Sequence, residues 1–243
     1  MNQLQPTETN GYSATWFALF LAEPDPRQTA CEVAFLRRVL PRPDVSSVLD
    51  LCCGYGRHAG PLAETGYRVL GIDRDPDVIT RAQSLHRFPN LAFRVHDMMS
   101  LDALPDVFDA VVCMWQSFGY FDQATNAGVL AQIGGHLQPG GRAVLDIYNR
   151  AFFEQHQGTR SIQQRCETVV TTQRIEDDQL VVMLHYVERK ERNVFTWQLF
   201  TPQSIAQLAE AKGLRTVLMC SSFRENEVPS QDIPRMQLVF EKR

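Results

Sequence analysis

Val48-Leu49-Asp50-Leu51-Cys52-Cys53-Gly54-Tyr55-Gly56-Arg57-His58-Ala59 sets an apolar strand, a carboxylate and two glycines in succession, then opens a helix. Glycine in such a turn lets the backbone approach a ligand closely and take positive φ. The helix start adds free N–H groups. Gly54, Gly56 and Ala59 by themselves satisfy GxGxx(G/A), the dinucleotide fingerprint. Asp50 decides between cofactor classes. In a dinucleotide site this turn receives a pyrophosphate, which a carboxylate repels, whereas S-adenosylmethionine brings an ammonium and a sulfonium that a carboxylate pairs with.

Two further acids extend the pattern. Asp73, followed by Arg74, ends the second strand (Arg68 to Ile72), where an acid accepts from both ribose hydroxyls. Asp97 stands at the end of the third strand (Leu91 to Val95), placed to accept from an adenine amino group with Met98 against the ring. A lone Asp at a strand end is as readily turn or cap chemistry. Three of them ending successive strands beside a glycine turn point to one cofactor site.

Outward from this stretch the periodicity alternates. Asp75 and Pro76 read as the N-cap and first residue of a helix. A fourth strand, Phe108 to Cys113, follows the Pro105-Asp106 turn, and Asp122 opens a helix with Val129, Leu130, Ile133 and Leu137 on one face. Pro139-Gly140-Gly141 leads into a fifth strand, Arg142 to Tyr148. Strands separated by helix-length segments predict βαβ units and a parallel sheet. Upstream, two helical stretches flank Glu23-Pro24-Asp25-Pro26, the second carrying Val33, Leu36 and Leu40 and ending at Pro41-Arg42-Pro43-Asp44. Downstream, Thr168 to Phe200 reads as an antiparallel meander turning at Asp177-Asp178 and Lys190 to Asn193. Thr201-Pro202 starts a last helix stopped by Gly213, and Leu214 to Phe223 with Met236 to Glu241 form a hairpin.

Val48 to Ala59, Gly71-Ile72-Asp73, His96-Asp97-Met98, Phe108 to Val111, Leu137 to Gly141 and Asp146 together resemble the ordered motifs of class I S-adenosylmethionine-dependent methyltransferases. The resemblance covers roughly residues 30 to 150 and the terminal hairpin. It implies a doubly wound α/β sheet of seven strands in the order 3-2-1-4-5-7-6, strand 7 antiparallel. Cys52 departs from the pattern, standing where the family's first loop glycine stands. By the same resemblance Met114 and Trp115 lie near the cofactor, and the Ser117-Phe118-Gly119-Tyr120-Phe121 stretch lines the donor and acceptor pocket. For Phe118 and Phe121, packing under the sheet edge is an equal alternative.

The expected organisation is therefore a methyltransferase domain of residues 1–150 and 201–243 that includes the N-terminal helices. A small antiparallel insert, 151–200, serves as acceptor cover or dimer element. Donor binding falls to Asp50, Cys52, Gly54, Gly56, Asp73, Arg74, Asp97, Met98, Met114 and Trp115. Acceptor contacts fall to Tyr12, Trp16, Tyr120 and Tyr148. Tyr148, Asn149 and His185 are the candidates for proton handling, since in-line methyl transfer needs a base only where the acceptor must lose a proton. His58 is expected to brace the loop. No metal is implied.

Net charge of −4, with 24 basic against 28 acidic residues and no basic block, removes the electrostatic footprint of a nucleic-acid binder. The apolar run Ala18 to Ala22 is too short to span a membrane, and polar Met1 to Asn10 has no basic leader pattern. Six cysteines without a CxxC pair suit a reducing cytoplasm. The expected reaction is methyl transfer to N or O of a small-molecule acceptor. A homodimer, a tRNA or protein methyltransferase, an NAD(P)-dependent oxidoreductase and a non-catalytic cofactor-binding module stand as alternatives.

Overall fold

The computed structural model describes residues 10–21, 25–41, 43–104 and 106–243. Residues 1–9, 22–24, 42 and 105 lie outside them, and with them the leader reading and parts of three expected turns.

After the short helix α1 (Ala14–Trp16) and a π-helical turn (Phe17–Leu21) comes α2 (Pro26–Val39), whose N-terminus is capped by Asp25. The alternating region then runs β1 (Ser47–Leu51), α3 (Ala59–Glu64), β2 (Arg68–Asp73), α4 (Pro76–Leu85), β3 (Leu91–Val95), a 3-10 stretch (Met98–Ala103), β4 (Phe108–Cys113), α5 (Gln123–Gly135) and β5 (Leu137–Tyr148). Each expected cap holds: Asp75 accepts from the Asp77 and Val78 amides, Asp122 from Thr125, and Pro76 occupies the first helical turn. The chain continues through α6 (Arg150–Gln155), β6 (Gly158–Gln164), β7 (Glu167–Glu176), β8 (Gln179–Tyr186), β9 (Glu191–Gln198), α7 (Pro202–Ala211), β10 (Leu214–Cys220) and β11 (Arg235–Lys242). Thr201 and Ser204 close a reciprocal capping box at the start of α7.

The main sheet has the order β10-β11-β5-β4-β1-β2-β3, in which β11 alone runs against its neighbours β5 and β10. That is the expected doubly wound order. β1 lies inside the sheet between β4 and β2 with every side chain buried, as a strand covered on both faces must be. Helices α2, α3 and α4 cover one face around Phe35, Leu36, Leu62 and Ile79; α5, α7 and the 3-10 stretch cover the other around Leu101, Val129, Ile133 and Ile205. The carboxyl ends of β1, β2, β4 and β5 share one edge, and there Asp50, Asp73, Cys113 and Asp146 converge.

The insert is a separate antiparallel sheet, β6-β7-β8-β9, turning through left-handed residues Asp177 (φ 53°) and Lys190 (φ 57°). Two of its parts escape the sequence reading: β6, whose residues are nearly all exposed and so carry no apolar alternation, and α6, a helix of under two turns. β10 stops at Cys220 rather than Phe223, because Ser222 (φ 53°) and Phe223 (φ 59°) leave the extended region. One face of the insert buries Val169, Leu180, Leu184, Tyr186, Phe195 and Trp197 against the carboxyl edge of the main sheet. It is pinned there by Trp197 Nε1 donating to the Gln116 carbonyl (3.0 Å) and Gln198 N to Gly119 (2.7 Å).

Candidate active site

The loop after β1 holds three left-handed residues, Cys52 (φ 60°), Gly54 (φ 55°) and Gly56 (φ 79°). Cys52 thus takes the conformation that glycine would supply, at a cost of about 1–2 kcal/mol for a residue with a Cβ. The loop is held by Cys53 N donating to the Ile72 carbonyl (2.9 Å) and by Gly54 N donating to Asp73 Oδ2 (3.1 Å). Asp73 Oδ1 accepts from Asp75 N (3.1 Å), so one carboxylate joins the glycine loop to the turn after β2. Its burial pushes the Asp73 pKa up against the pull of those two amides.

Gly56 has no room for a side chain. A Cβ there would stand 2.7 Å from Phe93 Cζ and 2.9 Å from His86 Cδ2. Gly56→Ala adds left-handed strain to that clash and is expected to destabilise the fold by about 2–4 kcal/mol, read from the urea midpoint. An unshifted midpoint would mean that the loop does not depend on this packing.

Asp50 is 1% exposed. It stands close to the Ala59 amide at the start of α3, and its Oδ2 has no hydrogen-bond partner. Burial drives its pKa up to about 6, although His58, Arg57 and the Ala59 amide pull the other way. A buried carboxylate with one oxygen unpaired is a place prepared for positive charge.

Asp97 caps the 3-10 stretch, accepting from Met99 N at 2.8 Å. Met98 is buried beneath it with Sδ 3.4 Å from Cys52 Sγ, which links the third strand's end to the glycine loop. Beyond β4, Met114 and Trp115 part company. Strand alternation sends Met114 into the core under α2, while Trp115 (φ 58°) and Gln116 (φ 61°) form a left-handed pair that turns the indole outward. The indole lies 5.6 Å from the Arg57 guanidinium and 6.5 Å from the Trp16 ring.

Aromatic side chains from five parts of the chain form a connected group with it. Tyr12 packs on Trp16 (4.4 Å) and Phe195 (5.2 Å), and its hydroxyl is hydrogen-bonded to that of Tyr120. Trp197 touches both Tyr120 (5.0 Å) and Tyr148 (5.2 Å). Phe17 faces Tyr55 of the glycine loop at 6.3 Å. The N-terminal segment is stitched to β9: Asn10 N donates to the Val194 carbonyl and Ser13 Oγ to Asn193 Oδ1. Arg74 reaches the Asn10 carbonyl at 3.4 Å. Tyr12, Trp16, Trp115, Tyr120 and Tyr148 therefore meet at one place.

The proton-handling candidates do not meet there as a set. Asn149 is buried with its amide spent on the backbone, donating to Ser230 (2.7 Å) and accepting from Ala151 N (3.2 Å) to cap α6. His185 pairs across with Val170 and Arg192 on the face of the insert opposite buried Tyr186. Tyr148 lies in the aromatic group, but burial raises its pKa to about 12. Phe118 is core, packed 5.8 Å from Phe200.

A buried ionic network goes unseen in the sequence. Glu32 on α2 accepts from Arg57 and from His58 Nε2 (2.8 Å), while Arg235 on β11 reaches both Glu32 Oε1 (3.4 Å) and Asp146 Oδ2 (2.9 Å). Gln237 Nε2 donates to Asp146 Oδ1 (2.8 Å). The one available signal was a carboxylate at position 32, in phase with Leu36 and Val39 on the apolar stripe. His58 braces the loop through this network.

Residues 48–141 match the family model described as "Methyltransferase domain". Among curated proteins, the dTDP-3-amino-3,4,6-trideoxy-alpha-D-glucopyranose N,N-dimethyltransferase of Streptomyces venezuelae is 32% identical over 105 residues, 43% of each chain. The chain spans about half the length of the curated relatives it matches. Among solved structures, an S-adenosylmethionine-dependent methyltransferase from Clostridium acetobutylicum ATCC 824 superposes with a TM-score of 0.76 at 15% identity, covering 94% of this chain and 96% of that one. An amino pentose methyltransferase from Micromonospora echinaspora, involved in calicheamicin biosynthesis and solved with its S-adenosylmethionine, does so with 0.71 at 21% identity, covering 98% and 100%. At these identities the likeness is one of fold.

Proposed function

We propose that this chain, which carries a class I methyltransferase domain over residues 48–141, moves a methyl group from S-adenosylmethionine to N or O of a small-molecule acceptor. The observation that carries the reading is the unpartnered Oδ2 of Asp50 beside a left-handed glycine loop. A cationic donor suits that oxygen and a diphosphate does not. When bound, the donor supplies a methyl group already activated on a sulfonium.

The residues then divide the work. Asp50, Cys52, Gly54 and Gly56 hold the amino-acid end; Asp73, with Arg74 beside it, takes the ribose hydroxyls; Asp97 and Met98 take the adenine. Trp115 bounds the donor on the β4 side. Met114, packed under α2, supports that turn from within the core. Tyr12, Trp16, Tyr120 and Tyr148 receive the acceptor, with the insert as its cover. Aromatic faces favour an acceptor that carries a positive charge before or after transfer, which favours an amine. The related sugar N,N-dimethyltransferases act on amines by name. With Tyr148 raised to about 12 and the Tyr12 and Tyr120 hydroxyls bonded to each other, these residues orient an acceptor and exclude water rather than take its proton.

Among the described residues no helix is long and apolar enough to cross a membrane. We place the protein in the cytoplasm, where its six free cysteines stay reduced. Incubation with labelled donor and a metabolite extract tests the reaction: label in a small-molecule product supports it. Label confined to the macromolecular fraction would move the acceptor to tRNA or protein, and stabilisation by NADH instead of S-adenosylhomocysteine would overturn the cofactor.

Asp50 also fixes a pH dependence. Its raised pKa means that the free protein holds a proton there below pH of about 6, and a cationic ligand must expel it. The dissociation constant for S-adenosylhomocysteine is therefore expected to be flat above pH 7 and about tenfold weaker at pH 5. Calorimetric titration across pH 5 to 8 checks this, and the dependence disappears in Asp50→Asn.

A further inference from the structure

The buried network closes into a ring that returns to the site. Arg57 bonds Glu32, Glu32 bonds Arg235, Arg235 bonds Asp146, Asp146 Oδ2 accepts from Trp115 N (3.0 Å), and the Trp115 indole lies against Arg57. Glu32 and Asp146 are both fully buried. Among the described residues Arg235 is the one side chain bonded to both, and it lies outside the matched domain, on the strand of the terminal hairpin inserted next to β5. In the amide orientation that pairs donor with acceptor, Gln116 also accepts from Arg235 at 2.9 Å. The Trp115–Gln116 turn needs such an anchor. Two consecutive left-handed residues with side chains are costly, and both of their amides bond to Asp146, Trp115 N to the side chain and Gln116 N to the carbonyl (2.9 Å). Without its cation, Asp146 would be a buried carboxylate that leaves that arrangement.

We propose that Arg235 is a positioning residue for the donor site: it holds the carboxylate that holds the strained Trp115–Gln116 turn, and so keeps the Trp115 indole against Arg57. This rests on the donor-site reading above, but half of its test does not. In the free protein, Arg235→Gln is expected to speed hydrogen exchange at the Trp115 and Gln116 amides at least tenfold, while Leu180 and Leu184 in the insert keep their protection. The dissociation constant for S-adenosylhomocysteine, measured well below the melting temperature, is expected to rise at least tenfold. In Arg235→Ala, millimolar guanidinium ion is expected to recover part of the lost affinity, which a general loss of stability would not allow. Should Arg235→Gln fail to fold, Arg235→Lys decides, since an ammonium keeps the charge without the planar fork that spans two carboxylates. Unchanged exchange at Trp115 and Gln116 in a folded variant overturns the proposal, as does unchanged affinity. A wild-type protein that fails to bind S-adenosylhomocysteine overturns the donor-site reading instead, and the exchange measurement then still tests the turn.

Discussion

Asp50→Asn is expected to make the free protein more stable and to weaken its hold on the donor. Burial raises this carboxyl from 3.8 to about 6. The folded state therefore binds the proton more tightly than the unfolded chain. Stability from this group is fully present below pH 3.8 and is lost as pH rises through 6. The penalty above that window approaches about 3 kcal/mol, and a neutral amide escapes it, less the cost of its own unpaired nitrogen. Urea titrations should show the variant more stable than the wild type at pH 8, with the two converging at pH 4. Donor affinity should fall about 100-fold, the loss of one charge-assisted contact of ~1.5–3 kcal/mol. A variant that is less stable at pH 8 would mean that the carboxylate is satisfied in the free protein, which removes the reason for assigning it a cationic guest.

Glu32→Gln should move stability the opposite way. This carboxylate is just as deeply buried, but the His58 bond and the Arg57 charge overcome desolvation and lower its pKa from 4.5 to about 2. Its contribution is present above pH 4.5 and is lost as pH falls through 2. The variant is expected to lose about 3 kcal/mol at pH 7, and the difference from wild type should narrow on acidification. Melting curves from pH 7 down to 3 check it; a constant difference would indicate lost packing rather than lost charge. Two buried acids of opposite sign separate a group that the fold uses from a group that the fold tolerates.

The strand-end acids of the proposed donor site are legible because their signals are local. Asp50, Asp73 and Asp97 each end a strand, and strand ends can be read from apolar runs followed by turn chemistry. Asp97 shows how far such reading goes, since its cap bond to Met99 and an adenine contact are compatible uses of different oxygens. Proximity in sequence sets Met114 beside Trp115, but alternation from Val112 through Cys113 assigns it to the α2 side. Its place after a strand suggests chemistry for Asn149, but its amide is consumed by backbone more than 80 positions away. The Glu32–Arg235 contact joins residues 203 positions apart, a distance over which one sequence carries no pattern. β6 went unread because an exposed edge strand has no buried face to imprint a period.

β11 comes after every strand it must join, yet it lies inside the sheet between β5 and β10. As the polypeptide leaves the ribosome, β1 to β5 can assemble while the outer side of β5 remains a bare seam of unpaired N–H and C=O groups. Arrival of Arg235–Lys242 seals that seam and delivers the guanidinium to Asp146 in the same event. A nascent chain would thus gain its protection from stray strand pairing and its Arg235–Asp146 contact in one step.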